Sequence, residues 1–193
     1  GGSRVKKAPG RVTHLVRLAE VLPDSLQGVR DRAIFLVGYA GAFRRGELVE
    51  LDARDVCFVP EGVRITVRRS KTDQDGRGVT KDINHASNPQ NCPVKALAQW
   101  MAAAGIAEGP LFRPVNRHGR VLAARLTPQS VALIVKRVVK ALGLDPVKYS
   151  GHSLRAGFVT DAIKHGVLSH TIRRVTGHKS ESTLAEYYRE ADM

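Results

Sequence analysis

Val63-Arg64-Ile65-Thr66-Val67-Arg68 is where the apolar residues of this chain change period. Val63, Ile65 and Val67 alternate with Arg64, Thr66 and Arg68, which reads as a strand with one buried face. Pro60-Glu61-Gly62 reads as a turn before it. Asp75-Gly76 and Gly78 read as a turn after it, with Val79, Lys81 and Ile83 as the returning strand. On either side of this hairpin the pattern is helical. Upstream, Leu15, Leu18 and Leu22 mark a short helix that Pro23 stops. Asp24 or Ser25 can cap the next helix, whose apolar face holds Val29, Ala33, Leu36, Val37 and Ala40 and which ends near Gly41. A short helix then runs from Arg44 to Leu51. Downstream, Pro93 fits a first helical position, and Val94, Leu97, Ala98 and Met101 share a face with Trp100 beside it. A long loop from Gly109 to Leu126 carries Arg113, Arg117, His118, Arg120 and Arg125. Thr127-Pro128 opens a helix lined by Val131, Ile134, Val135 and Val138, which Gly143 ends. Three short helices starting near Ser153, Ser169 and Ser180 complete the chain. The expected class is mostly α with a small antiparallel β-sheet (α+β).

The 193 residues are 42% hydrophobic, enough to bury the core of one ordinary domain. A formal net charge of +13 argues for a polyanionic partner, nucleic acid first and an anionic membrane surface second. No apolar run approaches the ~18 residues of a membrane span, and no signal peptide is visible. Cys57 and Cys92 are too few for a disulfide framework, so a reducing cytoplasm is the expected location. Cys57, in an apolar run, is expected in the core. His85 and Cys92 do not make a zinc site by themselves. Gly1-Gly2-Ser3 reads as a cloning scar and Arg4, Lys6, Lys7 and Arg11 as a flexible basic linker. The expectation is a linker over residues 1–11 and one domain over 12–193, excised from a longer protein.

Seven residues carry the chemistry. Arg44 and Glu47 stand three apart in Gly41-Ala42-Phe43-Arg44-Arg45-Gly46-Glu47-Leu48, so they share a helix face, and Glu47 can hold the Arg44 guanidinium in place. The preceding turn can aim Arg44 at a ligand, and a helix start favours an anion. Arg45 is the rival but lacks an acidic partner three residues on. His152 and Arg155 are also three apart, offering a two-pronged phosphate binder and a proton acceptor on one face. His178 follows Gly177 between two short helices. Tyr187 comes nine residues later, and Tyr188 beside it points about 100° away on a helix, so the two cannot serve one site. Lys71, near the hairpin tip, can grip a backbone or donate a proton to a leaving oxygen. Two arginines, two histidines and a tyrosine suit a phosphodiester: they hold it, balance the extra charge of its transition state and present a nucleophile.

In this order and spacing the residues resemble the catalytic domain of the tyrosine recombinases, the phage integrase family. The boxes are Gly-x-x-Arg44-x-x-Glu47-Leu48, a hairpin Lys71, His152-x-x-Arg155, Gly177-His178, and a tyrosine nine residues on. The resemblance covers residues 12 to 190 and implies a mostly helical domain with a three-stranded sheet. It implies that Tyr187 attacks the scissile phosphate, forming a 3′-phosphotyrosyl link and freeing a 5′-hydroxyl. Arg44 and Arg155 would clamp the non-bridging oxygens, and Lys71 would protonate the departing oxygen. His152 would accept the proton of the nucleophile, His178 would donate to the transition state, and Glu47 would support the site. The implied partner is double-stranded DNA carrying a recombination site, engaged as a homo-tetramer, with no metal, ATP or other cofactor. This chain alone is expected to be monomeric and to bind weakly. Arg68, Arg69, Lys81, Arg173, Arg174 and Lys179 are candidates for the sequence-independent grip on DNA.

Three rivals have different consequences. A helix-turn-helix module over Leu154 to Val175 would bind DNA without chemistry and leaves Arg44, Lys71 and Tyr187 unexplained. A type IB topoisomerase would relax DNA without exchange, but Gly177-His178 with a tyrosine at plus nine fits the recombinases better. A membrane-surface protein would need an amphipathic basic helix with aromatic anchors, which the sequence does not offer.

Overall fold

The computed structural model describes residues 21–68 and 78–143. The segments 1–20, 69–77 and 144–193 lie outside the described residues, and with them the first helix expected upstream and the three helices expected at the end.

Helix α1 spans Leu26–Ala40, and Ser25 caps it by accepting from the Gly28 N–H at 3.2 Å. Ala33, Leu36 and Val37 of its expected apolar face are buried, and so are Ile34 and Phe35. Helix α2 is the short Arg45–Glu50. The strands are β1 (Val56–Val59), β2 (Gly62–Val67) and β3 (Val79–Asn84), in spatial order β1-β2-β3 and antiparallel throughout. Helix α3 is Pro93–Ala104, with Pro93 at its first turn and Gly105 closing it at φ 65. Helix α4 is Pro128–Ala141, where the Thr127 hydroxyl accepts from the Ser130 N–H at 3.1 Å.

Helix α1 packs chiefly against α3, while α4 lies against α2 and α1. Between these helices and the inner face of the sheet lies one core, built around Trp100, Phe43, Phe112, Ile34, Leu48 and Ile65. The expected inward face of β2 is Val63, Ile65 and Val67, each at most 2% exposed. The helix after Thr127 buries the four residues expected of it, Val131, Ile134, Val135 and Val138. Trp100 is core, and its Nε1–H donates to the Leu111 carbonyl at 2.9 Å, which ties the long loop to α3.

Two residues sit differently from expectation, and a charged pair lies buried. Cys57 is exposed: it lies in β1, a strand the residue pattern alone did not separate, and pairs with Arg64 on the outer side of the sheet. Ala98 is exposed, because the buried stripe of α3 runs through Val94, Leu97 and Trp100 instead. Arg30 and Asp31 on α1 are buried, paired with each other, and Asp31 also receives Arg137 from α4. A charge pair in the interior needs that second partner to offset desolvation, and it fixes α4 against α1.

Gly41 ends α1 and makes way for the Phe43 ring. A Cβ at 41 would lie 2.4 Å from Phe43 Cε2, and Phe43 is 1% exposed with nowhere to retreat. Gly41→Ala is therefore expected to destabilise the fold by about 1–3 kcal/mol, read as a lowered urea midpoint with unchanged slope.

Candidate functional site

Arg44 enters the structure through a strained turn. Gly41 N–H donates to the Val37 carbonyl and Phe43 N–H to Gly38, both at 2.9 Å, so the chain folds back over the end of α1. Between them Ala42 adopts φ 50, a left-handed conformation that costs an L-residue with a Cβ about 1–2 kcal/mol. Phe43 drops into the core, and Arg44 emerges as the N-cap of α2 with extended φ and ψ. It is half-buried, whereas Arg45 is exposed. Among the described residues, no carboxylate or carbonyl accepts a hydrogen bond from its guanidinium.

Glu47 supports this arrangement by another route than expected. Its Oε1 accepts from the backbone N–H of Arg44 at 2.8 Å, fixing the main chain where the side chain departs. Helix α2 has six residues, so it contributes little of a helix field, and the guanidinium itself must supply the attraction for an anion.

The far end of α2 is held by two arginines. Arg125 donates through Nη1 to the carbonyls of Val49 (2.7 Å) and Leu51 (3.1 Å), and through Nη2 to Asp52 at 2.5 Å. Arg68 donates to the Glu50 carbonyl at 3.1 Å, to Asp52 at 2.9 Å and to Asp55 at 3.0 Å. These cations take the last carbonyls of the helix, which have no partner within it. The hydrogen bond from Arg125 holds the Asp52 carboxyl below the ordinary carboxylate range, against partial burial and with further help from the charges of Arg125, Arg68 and Arg54.

That shift has a definite sign. A carboxyl whose folded pKa lies below its unfolded value adds stability above the unfolded pKa and loses it as pH falls through the folded one. Asp52→Asn is thus expected to cost roughly 1–3 kcal/mol near neutral pH. The gap between variant and wild type should close as pH drops below the usual carboxylate value of 3.8, followed as melting temperature against pH.

The structure gives two of the expected DNA contacts partners within the fold. Arg68, half-buried, is bound to two carboxylates and a carbonyl. Lys81 is 6% exposed and turns inward, with Nζ 2.6 Å from the Gly41 carbonyl and 3.4 Å from that of Ala42. The alternation of β3 puts it on the same face as Ile83. Of the candidate catalytic and supporting residues, Arg44 and Glu47 lie within the described residues. Lys71, His152, Arg155, His178 and Tyr187, and the surface candidates Arg69, Arg173, Arg174 and Lys179, lie outside the described residues.

Sequence reading passed over Asp52 and Arg125, which brace α2. The available signal was Asp52-x-x-Asp55 directly after the helix, a pair of acids three apart. It also passed over Lys136, which with Arg45, both exposed, and with Thr127, Gln129 and Leu133 lines an open groove of about 680 Å³.

Known proteins resemble this chain over most of its length. The family model described as the phage integrase family matches residues 11–193. The chain is 42% identical over 188 residues to an integrase/recombinase xerD homolog of Selenomonas ruminantium, covering 97% of this chain and 55% of that one. It is 30% identical over 170 residues to the tyrosine recombinase XerD of Xanthomonas axonopodis pv. citri, covering 85% of this chain and 52% of that protein. The chain thus spans about half the length of these relatives. Among solved structures it superposes on XerH bound to its palindromic difH substrate after cleavage (TM-score 0.71, 18% identity, 91% of this chain and 46% of that one). It also superposes on XerA (TM-score 0.67, 24% identity, 91% and 58%). At these identities the likeness establishes the fold.

Proposed function

From a chain that belongs to the phage integrase family, we propose the catalytic domain of a site-specific DNA recombinase that cuts and rejoins strands through a 3′-phosphotyrosyl intermediate. The observation that carries the reading is Arg44: a half-buried guanidinium without an acceptor among the described residues, on a main chain braced at the turn before it, at its own N–H and at the end of its helix. A cation kept in a fixed place is ready for an anion, and preorganised charge of this kind stabilises a transition state at no cost of reorganisation.

In the proposed reaction Arg44 and Arg155 hold the non-bridging oxygens of the scissile phosphate. Tyr187 attacks phosphorus while His152 takes its proton. The bond to the 5′-oxygen breaks, and Lys71 protonates the departing oxygen as His178 steadies the charge. A 5′-hydroxyl of a second strand then attacks the phosphotyrosine, so the number of phosphodiester bonds is conserved and no external energy source is needed. The substrate is double-stranded DNA carrying a recombination site, bound in the cytoplasm by a homo-tetramer. A further DNA-binding domain in the whole protein closes the grip. Arg69, Arg173, Arg174 and Lys179 remain candidates for phosphate contacts. Arg45 and Lys136 join them, and Lys81 drops out, because the first two are exposed on one open groove while Lys81 is buried. Among the described residues no helix is long and apolar enough to cross a membrane.

The test uses a duplex built from whatever inverted repeats sequencing finds beside the coding region. Exchange of strands between two such duplexes, through an adduct that survives denaturation and is removed by protease, supports the proposal. Relaxation of a supercoiled plasmid carrying the repeats, without exchange, would replace it with a topoisomerase. Binding without any adduct would reduce it to a DNA-binding module.

A further inference from the structure

Lys81 is a charged residue at a core position. It lies on β3 opposite Ile65, on the face that also carries Ile83, and is 6% exposed. A buried ammonium is costly, and an aliphatic side chain would fill such a strand position without that cost. The compensation lies at the end of α1. There the helix leaves carbonyls without intrahelical partners and presents its negative pole, and Nζ reaches two carbonyls of the turn, Gly41 at 2.6 Å and Ala42 at 3.4 Å. The ammonium also sits 4.6 Å from the centre of the Phe43 ring, a favourable cation–π distance. Every residue from Gly41 to Phe43 is therefore touched by one cation from below, and the next residue is Arg44.

We infer that Lys81 is a positioning residue for Arg44: it holds the left-handed turn at Ala42 from inside the core, so that the guanidinium departs at a fixed angle toward the scissile phosphate. This rests on the reading of Arg44 as a phosphate clamp. It differs from a DNA contact, because the ammonium faces the core. It differs from general core stability, because what it fixes is the three residues before the clamp. β3 also follows directly on the segment that carries Lys71, so the same ammonium ties the exit of that segment to the Arg44 turn.

The test compares Lys81→Met, which keeps the volume and removes the donor, with Lys81→Arg, which keeps a cation, in both the wild-type and the Arg44→Ala backgrounds. The probe is a nicked duplex of the flanking inverted repeats. The readouts are its dissociation constant against salt, the single-turnover rate of adduct formation, followed over long incubations for slow variants, and the melting temperature. Lys81→Met is expected to slow adduct formation roughly 10–100-fold, the scale of a small misplacement of a catalytic group. Affinity and salt slope should stay unchanged, since no phosphate contact is lost. Lys81→Arg should recover part of the rate, and Lys81→Met should add no loss once Arg44 is alanine. A lowered salt slope would make Lys81 a DNA contact, and an equal loss of rate in both backgrounds would make it merely structural; either overturns the inference. If Lys81→Met does not fold, Lys81→Gln carries the same comparison. An Arg44→Ala protein that reacts at the wild-type rate would bring down the reading of Arg44 and this inference together. A Lys81→Met protein at the wild-type rate, beside an inactive Arg44→Ala, would bring down this inference alone.

Discussion

Arg44→Ala is expected to slow adduct formation by roughly 10³-fold or more while leaving affinity for the duplex within a few-fold. The asymmetry follows from where the charge acts. One phosphate contact among several adds little to binding, and its loss should lower the salt slope by about one. In the transition state the phosphoryl oxygens gain charge, and a guanidinium held beside them is worth far more than in the ground state. Arg44→Lys keeps the charge but not the planar fork, so it should recover only part of the rate. Because Glu47 binds the Arg44 main-chain N–H and not its side chain, the alanine variant keeps that brace, and its melting temperature should stay near wild type. A rate loss matched by an equal loss of affinity would mean that Arg44 binds ground state and transition state alike, which is not the role proposed here.

Tyr187→Phe is expected to abolish the covalent adduct outright, because no oxygen is left to form the ester. Tyr188→Phe should keep it. A tyrosine with a pKa near 10 is a weak nucleophile at neutral pH, so a neighbouring phenol without the same base and cations cannot substitute for it. Denaturing gels of the nicked duplex after incubation separate the cases. An adduct that persists in Tyr187→Phe and disappears in Tyr188→Phe would move the nucleophile by one residue and turn the helix face by about 100°.

The helical frame was legible because its signals are local. Ser25, Pro93 and Thr127 mark helix starts by satisfying or lacking backbone donors, and Val131, Ile134, Val135 and Val138 repeat at helical spacing. Strand β1 was not legible, because four residues of mixed exposure carry no alternation. Arg44 and Glu47 could be singled out by spacing, yet the bond between them runs through main chain, a distinction that spacing does not encode. Lys81 was half legible. Its place between Val79 and Ile83 already put it on the inward face of a strand, while its charge suggested the surface; position decided, because an ammonium can be carried inward when carbonyls at a helix end await it. Arg68 shows the limit from the other side. Nothing local says that Asp52 and Asp55 will stand beneath it, since that meeting depends on how β2 crosses the end of α2.

The left-handed turn at Ala42 also bears on how this protein can drift. The residue is wholly enclosed and sits at φ 50, so two independent filters act on one codon. Asparagine and aspartate pass the torsional filter but would bring a polar group into the interior. Valine, leucine and isoleucine suit the interior but not the torsion. Glycine passes both and alanine fails only the torsional one, at a cost of about 1–2 kcal/mol, so Ala42→Gly is the substitution this position is expected to accept most readily.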